Sequence, residues 1–168
     1  GWQELLGRFL HGNGSLLDLE YMVDTNGRRV AAFGYFAGYM GAALALLQWY
    51  DRMASRPSFI NDGLMPFNSA ETLDDLIKSR KVEGKAPTAL VIGASGRSGI
   101  GAAEILERHG VKVTRWGRTE TANIDRDAIL NHDMLINCTF VNEMIPPFLA
   151  IEHIKPDCRL KVISDVSC

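Results

Sequence analysis

The chain has 168 residues, of which 46% are hydrophobic and 23% charged, with 18 Lys and Arg against 20 Asp and Glu for a formal charge of −2. That balance belongs to a globular chain long enough to bury a core, and it excludes disordered, collagen-like and disulfide-scaffold classes. Without a basic excess to meet a phosphate backbone, no nucleic acid partner is expected.

Residues 2–10 place Trp2, Leu5, Leu6 and Phe9 at helical spacing, and His11-Gly12-Asn13-Gly14 ends that helix. From Leu16 to Val23 the pattern is strand-like. Asp24-Thr25-Asn26-Gly27 supplies turn residues and Arg28–Phe33 reads as a returning strand, so a hairpin is expected. Residues 30–47 carry no charge and contain Gly34-x-x-x-Gly38, which formally matches a dimerising membrane helix. The run begins inside the expected hairpin and lacks a basic flank, so we read it as a buried helix and expect no membrane partner.

Residues 55–68 hold two prolines, a glycine and two asparagines and form a loop. Asn68 followed by Glu71 resembles a capping box, and Leu73, Leu76 and Ile77 give the next helix one apolar face before Gly84 and Pro87. Beyond Pro87, short apolar strands alternate with helices. The chain is therefore expected to divide into 1–55, 56–86 as linker and helix, and 87–168 as an alternating α/β unit, which the features below read as the front half of a dinucleotide-binding domain preceded by the end of a first α/β domain.

The sharpest feature is the strand Thr88–Ile92 running into Gly93-Ala94-Ser95-Gly96-Arg97-Ser98-Gly99-Ile100-Gly101, which opens a helix reaching about His109. Glycines there let the chain turn tightly, let a pyrophosphate approach the main chain and let the helix pack on the strand, while the helix start offers N–H groups and a positive dipole end. A second strand, 111–116, ends about twenty residues after the middle glycine, where ribose recognition normally sits. Further strands at 134–137 and 161–165 alternate with helices, notably 147–154. The fold class is α/β, an incomplete doubly wound Rossmann-like parallel sheet, expected in strand order 3-2-1-4.

After the second strand, NAD sites usually carry an Asp or Glu, but this chain has Trp116-Gly117-Arg118. Glycine leaves room and Arg118 could pair with a 2′-phosphate, so NADP is physically plausible beside NAD.

The three cysteines, Cys138, Cys158 and Cys168, follow neither CxxC nor Cys/His zinc spacing, so they read as reduced thiols of a cytoplasmic protein with no metal site. No signal peptide is recognisable, and the chain is expected to be a piece of a longer protein. His11, His109, His132 and His153 lack a paired carboxylate at suggestive spacing, and none is assigned a catalytic role.

Taken together, Gly1-Trp2-Gln3, Gly27–Gly34, Ala37-Gly38 with Gly41–Leu44, Val91–Ala94 through Gly96-Arg97, Ile136-Asn137-Cys138 and Asp165-Val166-Ser167 resemble the NAD-dependent, lysine-forming saccharopine dehydrogenases. Alanine dehydrogenases and transhydrogenases share a similar two-domain plan, and a non-catalytic NAD(P)-binding module is the rival reading. The resemblance implies reversible oxidative deamination of saccharopine to L-lysine and 2-oxoglutarate with NAD as cofactor. It implies cofactor contacts at Arg28, Gly93, Gly96, Arg97, Gly117, Thr121, Phe140 and Val166, and substrate contacts at Arg29, Phe33, Ser167 and Cys168. Gly117 stands where the family carries a ribose-binding aspartate. The family's lysine and histidine acid–base pair is expected upstream of Gly1, so no residue of this chain is assigned to catalysis and the chain alone is expected to be inactive.

Overall fold

The computed structural model describes residues 1–61, 63–141 and 145–167. It divides into two compact units, Gly1–Phe33 and Gly34–Cys168.

In the first unit, helix α1 (Trp2–His11) ends at Gly12. The expected hairpin shrinks to a single antiparallel bridge between Val23 and Arg29. Its turn forms as the residues predict: Gly27 takes φ +74°, and the Asp24 carboxylate accepts from the Asn26 and Arg28 N–H groups. The first strand is replaced because Asp18 accepts from the Glu20 N–H and caps a 3-10 turn at Leu19–Tyr21. A short polar residue there offers the backbone a local partner in place of a ladder.

The second unit runs α2 (Gly34–Met53), α3 (Ala70–Arg80), β1 (Thr88–Ile92), α4 (Arg97–Arg108), β2 (Lys112–Trp116), α5 (Arg118–Ala122), α6 (Arg126–Leu130), β3 (Met134–Asn137) and β4 (Val162–Asp165). All strand pairings are parallel, and the order is β2-β1-β3-β4. This corrects the expected 3-2-1-4. Lys112 and Arg115 leave β2 partly solvated, which suits an edge, whereas Met134, Leu135 and Ile136 are buried on both faces and demand a central position. The 117–133 link therefore carries the chain across β1. The expected helix at 147–154 is present only as a 3-10 turn at Ile151–His153.

Alternation along β1 divides the core. Ala89 and Val91 join Met134 and Ile136 beneath α2, α3 and α4, while Leu90 and Ile92 join Leu135, Trp116, Ile129 and Leu130 on the opposite face. A parallel sheet covered on both faces reads as unbroken apolar runs, which is why these strands lack a polar alternation.

Helix α2 is the uncharged run, placed as a buried helix, and no helix among the described residues is long and apolar enough to cross a membrane. Its small residues serve close packing. A Cβ at Gly38 would lie 1.8 Å from the Ser98 carbonyl oxygen of α4, and one at Gly41 would lie 2.6 Å from Val166 Cγ2. Reciprocally, a Cβ at Gly101 of α4 would lie 2.1 Å from the Tyr35 carbonyl oxygen. At its far end α2 buries Asp51 completely, and Arg80 Nη1 reaches both carboxylate oxygens at 2.7 Å while the Phe59 N–H donates at 3.0 Å. That latch binds the 55–68 loop and α3 to α2. The α3 cap is Ser69, whose hydroxyl accepts from the Thr72 N–H, one residue beyond the expected Asn68.

Candidate functional site: a glycine turn at the carboxyl edge of the sheet

The site begins where β1 ends. Gly93 has φ +75°, and a Cβ there would lie 2.7 Å from the Cys138 carbonyl oxygen, so turn and β3 exit meet backbone to backbone. The Gly93 and Ala94 N–H groups both donate to the Trp116 carbonyl, at 3.0 and 3.1 Å, which ties the turn to the tip of β2. A Cβ at Gly99 would lie 2.2 Å from the Gly93 carbonyl oxygen, so this glycine permits α4 to fold back onto the turn. Gly96 is the N-cap of α4 and supplies no capping side chain. The first turn of a twelve-residue helix thus presents its N–H groups and positive dipole end at the carboxyl edge of the sheet, where an anion would replace a cap. Arg97 stands exposed beside Gly96 at the first helical position.

Gly117 follows β2 and is the N-cap of α5. The Glu120 carboxylate reaches back to accept from the Gly117 N–H at 2.6 Å. That N–H, together with Glu120's own, holds the carboxyl below the usual glutamate range. Thr121 donates its hydroxyl to the Gly117 carbonyl at 2.9 Å.

Beyond β3 and β4 lies a polar cluster. Asn137 Nδ2 donates to Asp165 Oδ1 at 3.1 Å, and the same oxygen accepts from the Ser167 N–H at 3.1 Å and the Ser167 hydroxyl at 2.6 Å. Asn137 Oδ1 accepts from the Thr139 hydroxyl at 2.8 Å. Burial, with the Asp165 charge adding to it, pushes the neighbouring Cys138 thiol up to about 11, so this thiol is protonated at neutral pH. A cavity of about 260 Å³ opens beside this cluster, lined by Leu135, Asn137, Thr139, Phe148 and Asp165. It is smaller than the roughly 300–1,000 Å³ of ordinary small-molecule pockets, so it takes at most part of a ligand.

Of the residues expected at the site, Gly93, Gly96, Arg97, Gly117, Thr121, Phe140, Val166 and Ser167 gather at this edge. Phe140 is 75% exposed, and Val166 turns its side chain onto Gly41 of α2. Arg28, Arg29 and Phe33 belong to the first unit, where all three are exposed and Arg29 pairs with Glu20 at 2.8 Å. Cys168 lies outside the described residues. Glu120, Asn137 and Asp165 went unassigned in the sequence; the signal for Glu120 was its place three residues after a glycine N-cap, the back-reaching half of a capping box.

The histidines correct one expectation. His109 does have a carboxylate partner, Asp74, at 3.0 Å. It caps the carboxyl end of α4, about 20 Å along the helix from Gly96 at 1.5 Å per residue, and joins α4 to α3 rather than entering the site. His132 bonds Thr114 and the Ala128 carbonyl, and His153 accepts from the Ala150 N–H. No cluster of metal-ligating side chains occurs among the described residues.

No family model matches the chain. Curated relatives do, and their names agree. The chain is 38% identical over 177 residues to the saccharopine dehydrogenase [NAD(+), L-lysine-forming] of Candida glabrata, covering 99% of this chain and 48% of that protein. Identity is 39% over 176 residues to the Neurospora crassa protein of the same name, covering 99% of the chain and 47% of the relative. It is 37% over 179 residues to that of Schizosaccharomyces pombe, covering 100% and 48%. The chain spans about half the length of the curated relatives it matches. Along nearly its whole length, then, the chain is similar to about half of the NAD(+), L-lysine-forming saccharopine dehydrogenases of these fungi.

Proposed function

We propose that this chain is the NAD-binding part, with the adjoining end of a substrate domain, of an enzyme that oxidatively deaminates saccharopine to L-lysine and 2-oxoglutarate in lysine biosynthesis. The observation that carries the reading is the uncapped α4 start behind a glycine cradle, in a chain 36–39% identical to saccharopine dehydrogenases over nearly its whole length.

The residues fit a dinucleotide. Gly93 and Gly96 leave main chain bare where a pyrophosphate would rest, and the α4 N–H groups and Arg97 supply donors and positive charge. Bound there, NAD would supply the hydride acceptor for the substrate's C–N carbon. Gly117 and Thr121 would border the adenosine ribose, while Phe140 and Val166 would flank the cofactor beyond β3 and β4. Arg28 is a further cofactor contact. Arg29 and Phe33 are assigned to substrate, together with Ser167 and Cys168. A guanidinium suits this task because saccharopine carries several carboxylates, each able to accept a forked pair of hydrogen bonds. The domain reading stands as part of this proposal: 1–55 ends a substrate domain whose helix α2 packs on α4, 56–86 links, and 87–168 begins the cofactor domain. Free Cys138 and Cys158 support a cytoplasmic location.

The test is calorimetric titration of the full-length protein with NADH and with NADPH, followed by NADH formation on adding saccharopine and NAD. NADH binding with saccharopine-dependent turnover is expected. Binding without turnover on saccharopine, or no binding, overturns the assignment, the first outcome in favour of a non-catalytic module or an oxidoreductase of another amino acid.

A further inference from the structure

NAD sites usually carry a carboxylate at the tip of the second strand to hold the adenosine ribose hydroxyls, and position 117 has none. We infer that Glu120, reaching back from the first turn of α5, supplies that carboxylate and makes the site selective for NAD over NADP. This rests on the reading of the chain as a nicotinamide dinucleotide site and adds the residue that chooses between the two dinucleotides.

Three observations meet at this side chain. The first is position: an ideal Cβ at Gly117 would lie 3.5 Å from Glu120 Oε2, so the carboxylate rests in contact with the place from which a side chain at 117 would start. The second is attachment. Glu120 Oε2 accepts from the Gly117 N–H, and the Trp116 carbonyl at the other end of that same peptide group accepts from Gly93 and Ala94, so a single peptide group joins the anchored carboxylate to the glycine turn. The third is spare capacity, since a carboxylate accepts about four hydrogen bonds and the Gly117 N–H and Glu120's own N–H use two, leaving room for the two hydroxyls of a ribose diol. The side chain is exposed and ionised, held so by the Gly117 N–H. A 2′-phosphate brought to the same place would meet this fixed negative charge.

Arg118, two residues from Glu120, pulls the other way as a cation suited to a 2′-phosphate. Glu120 is fastened to the strand tip by the Gly117 N–H, and a charge held in place discriminates better than one that is not.

The experiment is fluorescence titration of the full-length protein with NADH and NADPH, comparing wild type, Glu120→Gln, and Glu120→Gln combined with Gly117→Asp. Glutamine can still cap the Gly117 N–H, so the first variant removes charge without removing the cap. A Cβ at 117 would meet Glu120 Oε2 at 3.5 Å, an ordinary contact, so a side chain can start there. We expect wild type to prefer NADH by about tenfold or more, Glu120→Gln to lose about tenfold in NADH affinity while NADPH holds or improves, and Gly117→Asp to restore the preference. If wild type binds NADH and Glu120→Gln leaves the NADH-to-NADPH ratio unchanged, the inference is wrong while the functional reading survives. Equal weakening of both dinucleotides makes Glu120 a cap alone and also overturns it. If wild type binds neither dinucleotide, the functional reading itself fails and takes the inference with it.

Discussion

Replacing Gly38 by alanine would put a methyl group into the backbone of α4. Its Cβ would lie 1.8, 2.4 and 2.7 Å from the Ser98 carbonyl oxygen, carbonyl carbon and Cα. None of those atoms belongs to a side chain that could rotate away, so α2 and α4 must part by about 1.5 Å to restore ordinary contact. Overpacking of this kind costs about 1–3 kcal/mol, and a main-chain obstruction belongs at the upper end. Alanine's better helix propensity returns about 1 kcal/mol, leaving a net loss of about 2 kcal/mol. At roughly 2–4 °C per kcal/mol for a chain of this size, the melting temperature should fall by about 4–8 °C. Since the obstructed residue lies one position after Arg97, the displacement is delivered to the glycine turn, and NADH affinity should fall by about tenfold with it. Thermal melts and NADH titrations of the full-length protein check both. A Gly38→Ala protein melting within about 1 °C of wild type and binding NADH equally well would refute the claim that α2 sets the position of the turn.

Gly7→Ala in α1 is the matching control: nothing lies within 4 Å of its Cβ, so the melting temperature should hold or rise, with a gain of at most about 1 kcal/mol. Arg80→Ala strips the main partner from the fully buried Asp51 and should cost about 3 kcal/mol in urea unfolding, a larger loss than Arg8→Ala, whose partner Glu4 is exposed. Burial pushes the Asp133 carboxyl up, but the Arg159 guanidinium and the Thr88 N–H and hydroxyl outweigh it and hold it below the ordinary value. Its contribution to stability is therefore complete above the unfolded aspartate value of about 3.9 and is lost as pH falls through the lower folded value. Urea midpoints measured from about pH 6 to pH 3 should fall less in Asp133→Asn than in wild type, and identical slopes would count against this ion pair. Cys138, with its thiol pushed up to about 11, should be alkylated by iodoacetamide at about pH 8 far more slowly than free cysteine, read peptide by peptide in a mass spectrometer.

The glycine turn was legible because its information is contiguous: an apolar strand, four glycines and a helix start follow one another from Thr88 to Arg108. Strand order was not, because it depends on which strand tolerates an edge, and Lys112 and Arg115 reveal that only once the competition with Met134–Ile136 is considered. The Gly34-x-x-x-Gly38 pattern announced close packing but not its partner, since Ser98 lies sixty positions downstream. Residues 16–23 satisfied a strand pattern, yet Asp18 diverted part of them into a 3-10 turn through one side-chain bond. Glu120 escaped notice for a related reason: the expectation fixed on position 117, and only the folded first turn of α5 carries a carboxylate back to it.

The meeting of Gly93 with Cys138 and of Ala94 with Trp116 is made by peptide groups on both sides. The floor of the crevice thus has a shape that no side chain defines. Exchanges at the rim, such as at Phe140 or Arg118, can retune which ligand is held and how firmly without remaking the cradle. A sequence can therefore drift widely around this turn while the geometry beneath stays still, and new specificities can be tried on it at small cost to the fold.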